Sequence, residues 1–192
     1  MPTAKSLLII IICLASNLVV AQDKFEKESR IKRKDVPSKA LAFVDSLQLN
    51  TRFKWYKEES LTDQSIEVKF KFNKIKYSIE FDILGNVEDV EAALKPAEMT
   101  PAVLLVFVDK LKTDCSSYKI IKIQRQYIGK KSDLYHLLKF NKMSESLVVN
   151  YEIVVRCKQN SKVAMFEYLF NEQGKILSVT KITFKNSSHL EY

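Results

Sequence analysis

The sequence predicts an α+β protein made of two tandem repeats, each a helix followed by a four-stranded antiparallel meander, with the helices on one face of the sheet. Three observations predict it. The stretch Tyr77–Val90, YSIEFDILGNVEDV, is echoed by Phe166–Val179, FEYLFNEQGKILSV, with Phe81 meeting Phe170, Gly85 meeting Gly174 and Val90 meeting Val179. The chain has only 3 glycines, and two of them fall at this same place in the two copies. PSKALAFVDSL, starting at Pro37, aligns with PAVLLVFVDKL, starting at Pro101, through the proline, a Phe-Val-Asp triplet and the final leucine.

Taken in order, residues 1–21 read as an export signal. Lys5 supplies a positive start, Leu7–Ala15 a short apolar run, and Ala21 the small residue that a signal peptidase needs before Gln22. The run is too short for a comfortable transmembrane helix. Ile12 stands where a lipidation site before Cys13 would need a small residue. Residues 22–35 are rich in mixed charge and end in the cluster Arg30, Lys32, Arg33 and Lys34, which reads as an exposed arm.

The first repeat spans 36–98. Val36-Pro37 opens a helix, since proline suits a first helical position, and Ala40, Phe43, Val44 and Leu47 form one apolar stripe. Phe53 and Trp55 begin the sheet. Ile66, Val68, Phe70 and Phe72 then alternate with Glu67, Lys69 and Lys71, the period of a half-buried strand. Ile75, Tyr77, Ile79 and Phe81 do the same against Lys76, Ser78, Glu80 and Asp82, and Gly85 supplies the positive φ of a bulged hairpin turn.

The second repeat spans 99–185. Thr100 offers a capping hydroxyl before a helix with Leu104, Phe107, Val108 and Leu111 on one face. Strands follow over Tyr118–Ile128, Leu147–Cys157, Val163–Phe170 and Lys175–Phe184. The offset between copies grows from 64 residues at the helices to 89 at the hairpins, which places an insertion of 25 residues in the second copy, near 129–146. This segment reads as a lengthened connection with an apolar centre, and 186–192 as a loose tail.

The chain has 192 residues and a net charge of +8 from 31 basic and 23 acidic residues. Loss of the signal would leave 30 basic residues and +7. A basic surface suits anionic lipid, an acidic partner or nucleic acid, and export disfavours the last. Cys115 and Cys157 remain after export. They are either bridged, as an oxidising compartment favours, or buried as two free thiols.

Chemistry is hard to find. His136 and His189 have no metal-ligand spacing, and neither H-E-x-x-H nor C-x-x-C occurs. There is no G-x-S-x-G elbow and no glycine-rich phosphate loop. Glu58-Glu59 and Glu88-Asp89-Glu91 alternate in side along a strand, so they read as solvated rather than as an acid–base pair. No catalytic residue, metal or cofactor is expected. The expected contact residues lie on the strand faces turned away from the helices. Tyr56, Lys69 and Lys71 sit at a polar end, and Val154, Met165 and Leu169, with Val148, form an apolar patch at the other. Trp55 reads as a core aromatic.

The sequence VPSKALAFVDSL, then Trp55, then YSIEFDILGNV, then TPAVLLVFVDKL resembles the PepSY-like proteins of the β-lactamase-inhibitor-like type, an exported family common in Bacteroidetes. In that family a proline-started helix precedes a sheet with an aromatic in its first strand, and a Phe-Asp-x-x-Gly hairpin closes the unit. Phe81-Asp82 with Gly85 fits this hairpin, whereas Asn171 replaces the aspartate before Gly174, and Tyr118 stands where a tryptophan is usual. The resemblance implies an exported, non-enzymatic, protein-binding or inhibitor-like module of a Gram-negative cell envelope, periplasmic or extracellular. Its expected partner is another envelope protein and not nucleic acid. The alternative is a structural or polysaccharide-associated envelope protein held by its basic arm, in peripheral contact with the membrane.

Overall fold

Alternating strands dominate the chain, and the computed structural model, which describes residues 22–60 and 63–184, is mostly β. In chain order the elements are β1 (Gln22–Ile31), α1 (Ser38–Leu47), β2 (Lys54–Glu59), β3 (Gln64–Phe72), β4 (Ile75–Asp82), β5 (Val87–Ala93), α2 (Pro101–Asp114), β6 (Ser117–Ile128), α3 (Lys131–Phe140), β7 (Val148–Gln159), β8 (Lys162–Asn171) and β9 (Ile176–Phe184). Each strand pairs antiparallel with the next. β9 then pairs parallel with β1, Gln22 opposite Thr180, and the sheet closes as a barrel. Among the described residues no helix is long and apolar enough to cross a membrane.

The expected pair of tandem helix-plus-four-strand repeats is overturned: the described residues form one nine-stranded sheet with three α-helices. Two pairings account for the difference. β5 joins β6 across the expected boundary between units, with Val90 opposite Tyr127. Residues 22–31, expected as part of an exposed arm, form β1, with Arg30 opposite Tyr56. A strand edge leaves a row of N–H and C=O groups unpaired, and β1 satisfies one on each side. Its charges fit because they pair across strands, as Lys27 does with Glu59 at 2.9 Å. The basic cluster that follows is likewise tied down, with Arg33 on Asp45 at 2.6 Å.

The apolar side chains of the strands face outward, and the helices cover them. α1 buries Ala40, Phe43, Val44 and Leu47. Phe43 meets Phe81 edge-on with ring centroids 6.0 Å apart, and Trp55 lies 6.0 Å from Phe81 on its other side, a core position. α2 is capped by Thr100, whose hydroxyl accepts from the Val103 amide at 3.4 Å, and sets Phe107 edge-on against Tyr168 and Phe170. The insertion, expected as a connection, forms α3. Its buried Leu134 and Leu138 lie one helical turn apart, and Asn141 ends it with φ +51°. α3 lies beside α1, where the Lys139 ammonium donates to the Leu47 carbonyl at the C-terminal end of α1.

Two turns set the helices on the barrel. The Asp82 carboxylate accepts from the Leu84 and Asn86 amides at 2.9 and 2.8 Å. Asn171 does the same for Gln173 and Lys175 at 3.1 and 2.8 Å, so the amide keeps both backbone bonds, while Asp82 also accepts from the Asn86 side chain at 2.6 Å. Gly85 and Gly174 hold φ of +81° and +82°. A Cβ on Gly85 would lie 2.8 Å from the Ala40 nitrogen, and one on Gly174 would lie 2.9 Å from the Ala102 oxygen. Each glycine thus lets a hairpin press on the first turn of a helix. Cys115 and Cys157, 42 residues apart, are joined by a disulfide that ties the end of α2 to β7. The export signal expected over 1–21 and the tail 186–192 with His189 lie outside the described residues.

Gly85→Ala should cost about 1–3 kcal/mol in urea unfolding, because both the left-handed backbone and the helix contact resist a side chain. A change below about 0.5 kcal/mol would show that the turn moves aside freely. Reduction of the Cys115–Cys157 bond should cost roughly 3 kcal/mol in the same assay.

Candidate functional site

Closing the sheet gives it an inside, and the helices occupy the outside. The faces expected to lie in solvent, carrying Glu67, Lys69, Ser78 and Glu80, are therefore turned inward. Glu67, Ser78, Asp89, Gln124, Asn150 and Glu152 are all buried. Period-two alternation cannot distinguish a wet outer face from a polar lumen, because both leave every second residue hydrophilic.

One cavity of about 280 Å³ takes side chains from eight of the nine strands: Glu28 from β1, Glu58 from β2, Glu67 from β3, Glu80 from β4, Glu91 from β5, Lys122 from β6, Glu152 from β7 and Glu167 from β8. Such a lining is available only from within a closed sheet. Ten of the 23 acidic residues of the chain line this cavity, against the two lysines Lys69 and Lys122. Glu58 and Glu91, expected to be solvated, are part of it.

Several of the charges inside are bonded, while one oxygen of buried Asp89 has no hydrogen-bond partner among the described residues. The Lys69 ammonium reaches Glu28 at 2.5 Å and Glu67 at 3.0 Å, and Lys122 reaches Glu152 at 2.7 Å. Gln124 donates to Glu91 at 2.7 Å, and Ser78 donates to the same carboxylate at 2.9 Å. A second chain runs from Asn150 to Gln126 at 3.1 Å and from Gln126 to Asp89 at 2.8 Å. Burial and then the charge of Glu67 push the Glu58 carboxyl well above the usual carboxylate range. Burial and then Glu152 do the same to Glu91. Burial and then Glu80 push Asp89 up to about 7. Burial alone would lower Lys69, but Glu67 and Glu28 outweigh it and hold the ammonium well above its ordinary value.

Carboxylate oxygens of Glu28, Glu58 and Glu67 lie within 4.8 Å of one another, a spacing that approaches that of metal ligands. Lys69 is bonded to two of the three and already supplies positive charge there. We assign no metal to this group.

A second cavity, of about 370 Å³, carries the opposite charge. Its lining holds six cations, Arg52, Lys54, Lys69, Lys71, Lys76 and Lys122, and one carboxylate, Glu67. Tyr56 and Tyr77 contribute rings, and the Lys69 ammonium lies 5.1 Å from the Tyr56 centroid. Gln124 also lines it, with its side-chain oxygen buried and unbonded. Glu67, Lys69 and Lys122 belong to both cavities and form the partition between them.

Of the contact residues expected from the sequence, Tyr56, Lys69 and Lys71 come together in this basic cavity. The expected apolar patch does not form. Val154 is buried opposite Lys122 and Glu167, and Leu169 stands opposite Glu152. Met165 lines a separate shallow depression with Arg156 and Lys181. Closure of the sheet places these residues on its inner wall. His136 is exposed on α3 beside Tyr135 and Phe140, outside the barrel. The carboxylate-rich lumen is the feature that the sequence reading missed. Its trace was present in the uncharged polar residues Ser78, Gln124, Gln126 and Asn150, which share strand faces with the carboxylates.

No family model matches the chain, and no curated protein matches it. The structure is similar to that of a DUF2874 family protein from Bacteroides ovatus, with a TM-score of 0.47 and 12% identity over 76% of this chain and 87% of that one. It is similar to a protein from Bacteroides eggerthii provisionally described as periplasmic, with a TM-score of 0.49 and 11% identity over 76% and 88%. It is also similar to a BLIP-like protein from Bacteroides fragilis, with a TM-score of 0.49 and 17% identity over 80% and 92%. The β-lactamase-inhibitor-like part of the resemblance has a counterpart in the last of these, and the PepSY-like part is not confirmed. With TM-scores below 0.5 these likenesses carry no conclusion about family or function.

The raised carboxyls make stability depend on pH with a definite sign. Asp89, at about 7, together with Glu58 and Glu91, keeps protons in the folded chain that the unfolded chain releases near its ordinary value of about 4. Stability is therefore greatest at low pH in this window and falls as pH rises through about 7. Asp82, held low first by the Asn86 amide, and Glu59, held low first by Lys27, act the other way but only below about pH 4.5. Thermal unfolding should have a higher midpoint near pH 5.5 than near pH 8. Asp89→Asn should remove part of this difference and exceed the parent in stability at the higher pH. A parent more stable at the higher pH would show that these carboxylates ionise without cost.

Proposed function

We propose that the chain is an exported, non-enzymatic binding module of the cell envelope that takes an anionic segment of a partner protein at the basic mouth of its barrel. One observation carries this reading: a cavity of about 370 Å³ lined by six cations, two tyrosines and one carboxylate. Arg52, Lys54 and Lys71 make no ion pair among the described residues, so their charge is available to a ligand. Tyrosine rings beside cations suit a group with an acidic head and a planar or apolar body. The size admits one or two side chains of a partner rather than a protein face.

Export rests on the sequence of residues 1–21. The non-enzymatic reading is supported by Lys69, which pairs with Glu28 and Glu67, so that two of the three grouped carboxylates are engaged within the protein. In the alternative, an envelope protein held by its basic arm, residues 22–31 are a strand of the barrel and the exposed Lys32, Arg33 and Lys34 are what remains for surface contact.

A photo-crosslinking residue at Lys54, on the rim, tests the proposal in envelope extracts of the producing cell. The expected result is one protein adduct that disappears when Arg52→Glu and Lys71→Glu are added to the same chain. Unchanged capture in that charge-reversed chain, or an adduct containing only a small molecule, would overturn the assignment of a protein partner.

A further inference from the structure

The partition between the two cavities is made of charged groups that serve both. We infer that anion binding in the basic cavity is coupled to proton uptake by the carboxylates of the acidic cavity, through the shared residues Glu67, Lys69 and Lys122. The inference rests on the reading that the basic cavity binds an anion, and it adds how that binding is regulated.

Lys69 and Lys122 are the innermost cations of the basic cavity, and both are engaged from the other side. Lys69 is held by Glu28 and Glu67, and Lys122 by Glu152. An anion entering the basic cavity competes with these carboxylates for the same two ammonium groups, at separations where little water intervenes. Every strand that faces the partition adds to the balance. β1 places Glu28 there, β2 Glu58, β3 Glu67, β4 Glu80, β5 Glu91 with Asp89 behind it, β7 Glu152 and β8 Glu167. β6 contributes Lys122, and β9 places no residue in either lining. At the rims, Glu59, Asp63 and Glu88 lie on the acidic side. Arg52, Lys54, Lys71 and Lys76 lie on the basic side.

Protonating the carboxylates removes negative charge from behind Lys69 and Lys122 and strengthens their hold on an anion. By reciprocity, the anion draws protons into the acidic cavity. Burial and then Glu80 bring Asp89 up to about 7, and burial first of all raises Glu58 and Glu91 as well. The coupling needs no movement of the barrel. It acts across a partition one side chain thick.

Naphthalene-2-sulfonate is a suitable probe, since its charge does not change between pH 5.5 and 8. Calorimetric titration of the intact protein should show roughly fivefold or greater tightening at the lower pH. Near pH 7 the heat should depend on the ionisation enthalpy of the buffer, reporting protons taken up. Glu58→Gln and Asp89→Asn should each bind more tightly than the parent at pH 8 and respond less to pH; if one fails to fold, the other decides. Equal affinity at both pH values with no buffer-dependent heat would overturn the coupling, as would an unchanged response in the folded variants. Lys71→Glu separates the two readings. Binding that this variant weakens but pH leaves alone removes the coupling and keeps the basic cavity as a site. Absence of binding at both pH values, or binding indifferent to Lys71→Glu, removes both.

Discussion

Everything distinctive about this molecule depends on the pairing of β1 with both β2 and β9. Without it the sheet would be an open curve with a polar concave face in solvent, and the carboxylates along it would be ordinary surface groups. With it that face becomes a lumen. Glu67 and Glu152 are then buried, and the spacing of Glu28, Glu58 and Glu67 becomes an electrostatic problem that Lys69 largely solves. The same closure explains why the apolar residues sit outside. A sheet whose inner face is charged must bury its other face elsewhere, and the three helices provide the cover.

Closure also sorts charge. The chain as a whole is basic, yet ten of its 23 acidic residues line one internal cavity. Within the lumen the sorting continues, with carboxylates gathered at one end and lysines with Arg52 at the other. Neighbouring cavities of opposite sign, sharing Glu67, Lys69 and Lys122, make the interior of the barrel polarised along its length.

Local structure was legible in the sequence wherever one residue type answers one physical demand. Thr100 as a cap, Gly85 and Gly174 in left-handed turns, and the Phe43 and Phe107 stripes all stand where local chemistry requires them. The helix at Leu134 and Leu138 was legible in principle from their spacing, but charged neighbours on the opposite face masked it. Global structure was not legible. Nothing local in Gln22–Ile31 shows that it will find partners on two sides, since strand pairing is decided by the edges available and not by the strand's own composition. The candidate site depended wholly on that pairing. Tyr56, Lys69 and Lys71 were recognisable as a group, but whether they looked onto solvent or into a cavity depended on β1.

The parallel seam between β1 and β9 also dictates the order in which the barrel can be built. It joins residues near 22 to residues near 180, the longest sequence separation of any strand pairing in the sheet. Loop-closure entropy makes such contacts late, whereas the eight antiparallel pairings can form between neighbours as they appear. A sheet in which this seam forms last closes over a face that already carries carboxylates at one end and cations at the other. Glu28 of β1 and Glu167 of β8 come to share a lining only in that last step, so repulsion between them weighs on closure and not on the hairpins. The carboxylates that burden the finished lumen thus set the cost of sealing it.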